Sequence, residues 1–336
     1  MPLQIMAGLQ TFTYTRPLNT AVLFLIFNRL ETTKRVFKTI QQAKPPRFYV
    51  AADGYRSHCK GEEEKVLEVR NYILNNINWN CEVKTLFRDR NMGCGAAVSS
   101  AIDWFFKYEE TGIILEDDVM PDPSFFQFCE ELLERYKNEP QIMIISGDYF
   151  AGEKHRPKAS YYFSQYPHIW GWATWRRAWK GYDRLMTKWP QLKLTNFLSQ
   201  LDNGNKHFMN YWSRIFDMIH DGRLDTWDYQ LIFACWVNHS LSIMPSKNLV
   251  KNIGFGTEAT KTFQKNHWIT KLPLQHIEFP LIHPENIERN IAADRWCSRY
   301  VFEINFVSSL KSWIIRQPGG NFMTKIYRLF KRYLRK

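Results

Sequence analysis

The densest concentration of potential chemistry in this 336-residue chain is a run of three acids, Glu116, Asp117 and Asp118, directly after an apolar stretch of strand length at 111–115. Adjacent carboxylates repel one another, and placing them at the end of a buried strand is costly unless a cation neutralises them. Carboxylate oxygens are hard ligands of the kind that Mg2+ and Mn2+ prefer. The same acids, with Asp122, also suit the start of a helix at Pro123, where an acidic cap and an N-terminal proline are both favourable. Asn28 and Arg29 follow a second apolar run at 21–27, Asp53 and Gly54 a third at 47–52, and Arg88, Asp89, Arg90 and Asn91 a fourth at 81–87. Together these supply a cation for phosphate, a carboxylate for a base or ribose, and oxygen ligands for an ion, which is what binding a nucleoside diphosphate with a metal requires. Taken singly, Arg29 also reads as a solvated residue at a helix start, Asp53 as a turn residue before glycine, and Arg88 and Arg90 as surface salt-bridge partners.

What must position these residues is a repeated alternation. Apolar runs at 21–27, 47–52, 81–87, 111–115 and 142–146 read as strands, and helical stretches fall between them at 30–42, 62–76, 96–108 and 123–138. The alternation predicts an α/β fold with a parallel, doubly wound sheet, whose ligands bind beyond the carboxyl ends of the strands. The polar groups above occupy those ends. Glu62, Glu63 and Glu64 read as a solvated first helical turn, favoured by the helix dipole.

The segment 27–33, the triplet Ala52-Asp53-Gly54, and Glu116-Asp117-Asp118 with Pro123, Phe125 and Phe126 after it resemble the GT-A glycosyltransferases. The likeness is greatest to the N-acetylglucosaminyltransferases that open complex N-glycan branching and to related bacterial glycosyltransferases. It spreads over about 20–262, and the acidic triplet is its most specific part. The resemblance implies a Rossmann-like, mostly parallel sheet with flanking helices, a UDP-sugar donor, Mn2+ as the metal, and transfer with inversion. By matching position it implies that Asn28, Arg29, Asp53, Glu116 and Asp117 bind the donor and that Asp118 is the metal ligand. In one respect the chain departs from the pattern: Gly95 stands about where the eukaryotic enzymes have a histidine near the nucleotide, which bears on the nucleotide bound.

Inversion calls for a general base, a carboxylate within hydrogen-bond reach of the acceptor hydroxyl. The candidate is Asp228, in a tryptophan-acid segment that resembles the one bearing the base in the family, with Asp225 as the alternative. A carboxylate here also suits the start of a helix over 229–237. Trp170, Gly171 and Trp172 resemble the family's glycine-tryptophan segment between donor and acceptor; aromatic faces can carry sugar C–H groups, and the same tryptophans also suit core packing. A glycine-punctuated stretch at 251–260 matches the family's loop over the donor, making Gly256 and Thr257 candidate donor contacts, and also reads as a surface loop.

The expected organisation is an extension at 1–19, a nucleotide-sugar-binding half at 20–150, an aromatic-rich acceptor half at 151–300, and a basic tail at 301–336. In the tail Phe322, Ile326 and Tyr333 recur at helical spacing among Lys325, Arg328, Lys331, Arg332 and Arg335, the pattern of an amphipathic helix on an anionic membrane, or of a helix docked on its own domain. A hydrophobic content of 45% and aromatic content of 16% exclude a wholly disordered chain. The net charge of +12 favours an anionic partner. A nucleic-acid-binding protein is disfavoured by the absence of any such motif, and a sugar-phosphate nucleotidyltransferase by the lack of a glycine-rich triphosphate loop after the first strand. The six scattered cysteines read as reduced thiols, and neither a signal peptide nor an apolar run of about 18 residues is seen. The expectation is a cytoplasmic enzyme, with peripheral contact at the inner face of the membrane, acting on a glycan or lipid-linked glycan.

Overall fold

The computed structural model describes residues 17–255 and 268–304. The predicted alternation is realised closely in the first half. Strands β1 (Val22–Ile26), β2 (Arg47–Ala52), β3 (Glu82–Phe87) and β4 (Thr111–Glu116) are separated by helices α1 (Leu30–Ala43), α2 (Glu62–Asn76) and α3 (Cys94–Tyr108). All five residues of β1 are buried, as a central parallel strand covered on both faces demands. Along α1, Val36, Phe37 and Ile40 recur at helical spacing and are fully buried.

A three-residue strand β5 (Val119–Pro121), not anticipated from the sequence, follows the acids, and α4 (Pro123–Arg135) and β6 (Ile142–Ser146) complete this half. The cap of α4 is Asp122, whose side chain accepts from the Ser124 backbone N–H with Pro123 in the first turn. Helix capping therefore uses Asp122 and leaves Asp117 and Asp118 for other partners.

The second half contributes β7 (Tyr161–Ser164), β8 (Trp172–Trp175), β9 (Leu241–Pro245) and β10 (Val250–Asn252). Among the described residues its α-helices are three short ones, α5 (Arg176–Trp179), α6 (Trp189–Lys193) and α7 (Phe197–Leu201), then α8 (Lys206–His220), α9 (Asp228–Val237) and α10 (Ile291–Trp296). Among the described residues the sheet has eight strands in the order β3-β2-β1-β4-β8-β6-β9-β7, so both halves share it. Six strands run parallel, while β8, between β4 and β6, and β7, at an edge, run antiparallel. The fold is α/β with a mostly parallel sheet and flanking helices. The expected mostly parallel sheet is what forms, with β8 inserted antiparallel between β4 and β6.

A second, two-stranded ribbon pairs β10 antiparallel to β5, with Asn252 opposite Val119. The Ile253 N–H donates to the Asp118 carbonyl at 2.7 Å, which lays the backbone after β10 across the acids after β4. No helix among the described residues is long and apolar enough to cross a membrane. The six cysteines are unpaired, with Cys129, Cys235 and Cys297 buried.

Candidate active site

The carboxyl ends of β1, β2 and β4 open into a cavity of about 530 Å³. It is lined by Arg29, Asp53, Arg88, Glu116, Asp117 and Asp118 from the first half of the chain and by Trp170, Asp225 and Asp228 from the second. Residues some 200 positions apart in sequence thus face one space.

Arg29 organises the acids. Its guanidinium forks, one nitrogen donating to Asp117 Oδ1 and Nη1 lying 2.9 Å from Asp118 Oδ2. Asp117, only 3% exposed, also accepts from the Phe27 backbone N–H at 3.1 Å. Burial opposes the charge on Arg29, but the two aspartates outweigh it and hold the guanidinium protonated more firmly than usual. Burial raises the pKa of Glu116, and Asp118 and Asp117 raise it further. Burial likewise raises that of Asp117, against the pull of Arg29. One guanidinium does not neutralise the cluster.

Among the described residues no three His, Cys, Asp or Glu side chains are already disposed as a metal site. The donor set nevertheless suits a divalent cation: hard oxygens on consecutive residues, in negative excess, beside a cavity. Asp118 is the residue that would hold it.

Asp53 is more than a turn residue. Its carboxylate accepts from the backbone N–H groups of Gly54 and Met92 at 2.9 and 3.0 Å, and so fastens the 88–92 segment beside the cavity. Burial raises its pKa, against those two hydrogen bonds. Gly54 must be glycine, since a Cβ would fall 2.4 Å from the Arg90 carbonyl carbon. Arg88 lines the cavity and donates to Ser100 Oγ at 2.7 Å rather than to a surface carboxylate.

Two expectations are corrected beside the cavity. Glu62 is not solvated: it is 5% exposed, ion-paired with Arg56, and accepts from Asn28 Nδ2 at 2.9 Å. Asn28 is consequently turned away from the main cavity and lines a neighbouring one of about 410 Å³.

Asp228 is the first residue of α9, with Trp227 at the cap position and no capping side chain. Asp228 Oδ1 accepts from Thr226 Oγ1, while among the described residues its Oδ2 has no hydrogen-bond partner. Asp225 is placed differently, accepting from the Gly95 backbone N–H at 2.9 Å across 130 residues of sequence, at the start of α3. Trp170 lines the cavity, its backbone N–H held by buried Asp148 at 3.0 Å. Trp172 does not line it: the ring is 1% exposed and stacks on Trp227 at 5.7 Å, so it supports the wall instead of presenting a face to an acceptor. Gly171 adopts a left-handed φ of 64° where a Cβ would meet Val250 Cγ1 at 2.7 Å; its role is the turn into β8. Gly256, Thr257 and the tail from 305 onward lie outside the described residues.

Gly95 is a site residue that nothing in its local sequence marks. A Cβ there would come within 2.5 Å of Asp225 Oδ1 and 2.7 Å of the Thr226 carbonyl oxygen. Helix propensity alone would favour alanine over glycine by about 1 kcal/mol. Overpacking against the Thr226 backbone should reverse that sign, so Gly95→Ala is expected to destabilise the chain by about 1–3 kcal/mol in denaturant unfolding. Unchanged or increased stability would mean that the 225–226 segment yields freely.

No family model and no curated protein matches the sequence. Among solved structures, the chain is similar to HddC from Yersinia pseudotuberculosis at 14% identity and a TM-score of 0.26, covering 37% of this chain and 57% of that one, so it spans little more than half of that protein's length. It is similar to a mannosyltransferase from Pyrobaculum calidifontis in complex with GDP-Man and Mn2+ at 9% identity and a TM-score of 0.35, covering 94% of this chain and 85% of that one. For mouse xyloside xylosyltransferase 1, apo form, the figures are 11% identity and a TM-score of 0.30, covering 65% and 81%.

Proposed function

We propose that the chain is a metal-dependent glycosyltransferase that moves a sugar from a nucleotide-diphosphate donor, a UDP-sugar, to a hydroxyl of a glycan or lipid-linked glycan, with inversion. The observation that carries this reading is a single cavity lined both by an acidic cluster with the basic side chains Arg29 and Arg88 and by a separate carboxylate, Asp228, brought in by α9. Inverting transfer needs such a second carboxylate, since the acceptor attacks from the face opposite the leaving group and must lose its proton there.

On the donor wall, Arg29 and Arg88 are the donors for phosphate oxygens, and Asp53 and Asp117 the acceptors for base, ribose or sugar hydroxyls. A divalent cation bound at Asp118, Mn2+ by the family resemblance, would supply charge stabilisation of the departing diphosphate. On the acceptor wall, Asp228 Oδ2 takes the proton of the attacking hydroxyl while Thr226 fixes the carboxylate through Oδ1. Trp170 is the candidate platform for a sugar ring. In this reading 20–150 form the donor half and 151–300 the acceptor half; the anionic-membrane contact rests on the tail, outside the described residues.

Asp228 is favoured over Asp225 as base because the Asp225 carboxylate is committed to the start of α3. Against a nucleotidyltransferase stands the absence of a triphosphate loop after β1, where Asn28 and Arg29 are found. Identifying the phosphorus products formed from nucleotide sugars with Mn2+ separates the two.

A further inference from the structure

The fork made by Arg29 has the geometry of an internal cation standing where a metal ligand would be needed. Its Nη1 lies 2.9 Å from Asp118 Oδ2, and the other arm is committed to Asp117. The third side is closed by backbone: a Cβ on Gly254 would fall 2.1 Å from that same Asp118 Oδ2 and 2.7 Å from Arg29 Nη1. The hydrogen bond from Ile253 N–H to the Asp118 carbonyl, with the β5–β10 ribbon, holds Gly254 there. Asp118 Oδ2 therefore sits between a guanidinium and a backbone wall.

We infer that Arg29 is a built-in counter-cation of Asp118 which must be displaced before a divalent ion can bind there, and which then serves as a phosphate donor. The inference rests on the proposed metal site. Its physical basis is competition: guanidinium and metal seek the same carboxylate oxygen, and like charges that close repel strongly. Once Arg29 leaves Asp118, its freed N–H groups face the cavity that it lines, where a diphosphate is the matching bidentate acceptor. Metal and nucleotide thus assist each other through one side chain, and by reciprocity each strengthens the other by the same factor.

The test uses calorimetric titration of the full chain with Mn2+ alone and with UDP at saturating Mn2+, for wild type, Arg29→Gln, Arg29→Lys and Asp118→Asn. Arg29→Gln should bind Mn2+ alone more tightly than wild type, by roughly 5- to 150-fold, the usual span of coupling between sites. It should bind UDP more weakly when Mn2+ is present. Arg29→Lys keeps the charge but cannot fork, so both effects should have the same sign and be smaller; it carries the test if Arg29→Gln does not fold. Mn2+ binding that is lost in Asp118→Asn yet unchanged or weakened in the Arg29 variants would overturn this inference alone. Absence of Mn2+ binding by wild type, with and without UDP, would overturn it together with the metal site.

Discussion

Asp228→Asn is expected to lower kcat by about 10²- to 10⁴-fold, the usual worth of general-base assistance, while UDP binding in the presence of Mn2+ stays near its wild-type value. The substitution preserves shape, and the amide oxygen can still accept the Thr226 hydroxyl that now bonds Asp228 Oδ1. What it removes is the proton acceptor at Oδ2. A purely structural role at the start of α9 makes a different forecast. In that case the melting temperature drops and activity falls only with the folded fraction. Asp225→Asn is the natural companion: Asp225 holds Gly95 N–H through Oδ1, so its amide variant should leave chemistry largely intact. Full activity in a well-folded Asp228→Asn chain would remove Asp228 as the base.

The second large effect concerns the donor wall. Asp118→Asn replaces an anionic ligand by a neutral amide, a poorer partner for a hard cation. Even supporting residues around a metal typically cost about 10- to 100-fold in affinity when changed, so losing a direct ligand should weaken Mn2+-dependent UDP binding by at least about that factor. The same change breaks one arm of the Arg29 fork but leaves the other on Asp117. Breaking a buried pair outright costs about 3–5 kcal/mol; with one arm retained, the loss of stability should be smaller. Calorimetry and thermal unfolding on one preparation separate the two. Unaltered Mn2+-dependent affinity in the variant would exclude Asp118 as a ligand.

The strands and helices of the first half were legible because each is a locally periodic run: β1 is continuous apolar sequence, and α1 repeats buried residues at helical spacing. The ends of these strands were legible for the same reason, which is why Arg29, Asp53 and Asp117 could be placed beside one another from sequence. What escaped were features made by pairing distant segments. Gly95 and Asp225 meet across 130 residues, and nothing local to either marks the contact. The β5–β10 ribbon joins a three-residue strand to one more than a hundred positions away. Trp172 and Trp170 are alike in sequence context, yet the turn at Gly171 carries Trp172 into the buried strand β8 and leaves Trp170 at the cavity. Glu62 looked solvated beside Glu63 and Glu64, but α2 turns it inward to Arg56 and Asn28. Glycines gave the one available signal, since Gly54, Gly95 and Gly254 each stand where a Cβ would collide with site residues or the loop that carries them.

The most direct test of the account is to incubate the purified chain with a panel of nucleotide sugars and Mn2+ and to resolve the products by phosphorus NMR, with water or added glycan as acceptor. The account predicts that one donor yields nucleoside diphosphate, from cleavage between the anomeric carbon and the phosphate oxygen, and that chelating the metal stops it. Nucleoside triphosphate and sugar phosphate formed on adding pyrophosphate, with no nucleoside diphosphate from any donor, would contradict it and make the chain a nucleotidyltransferase.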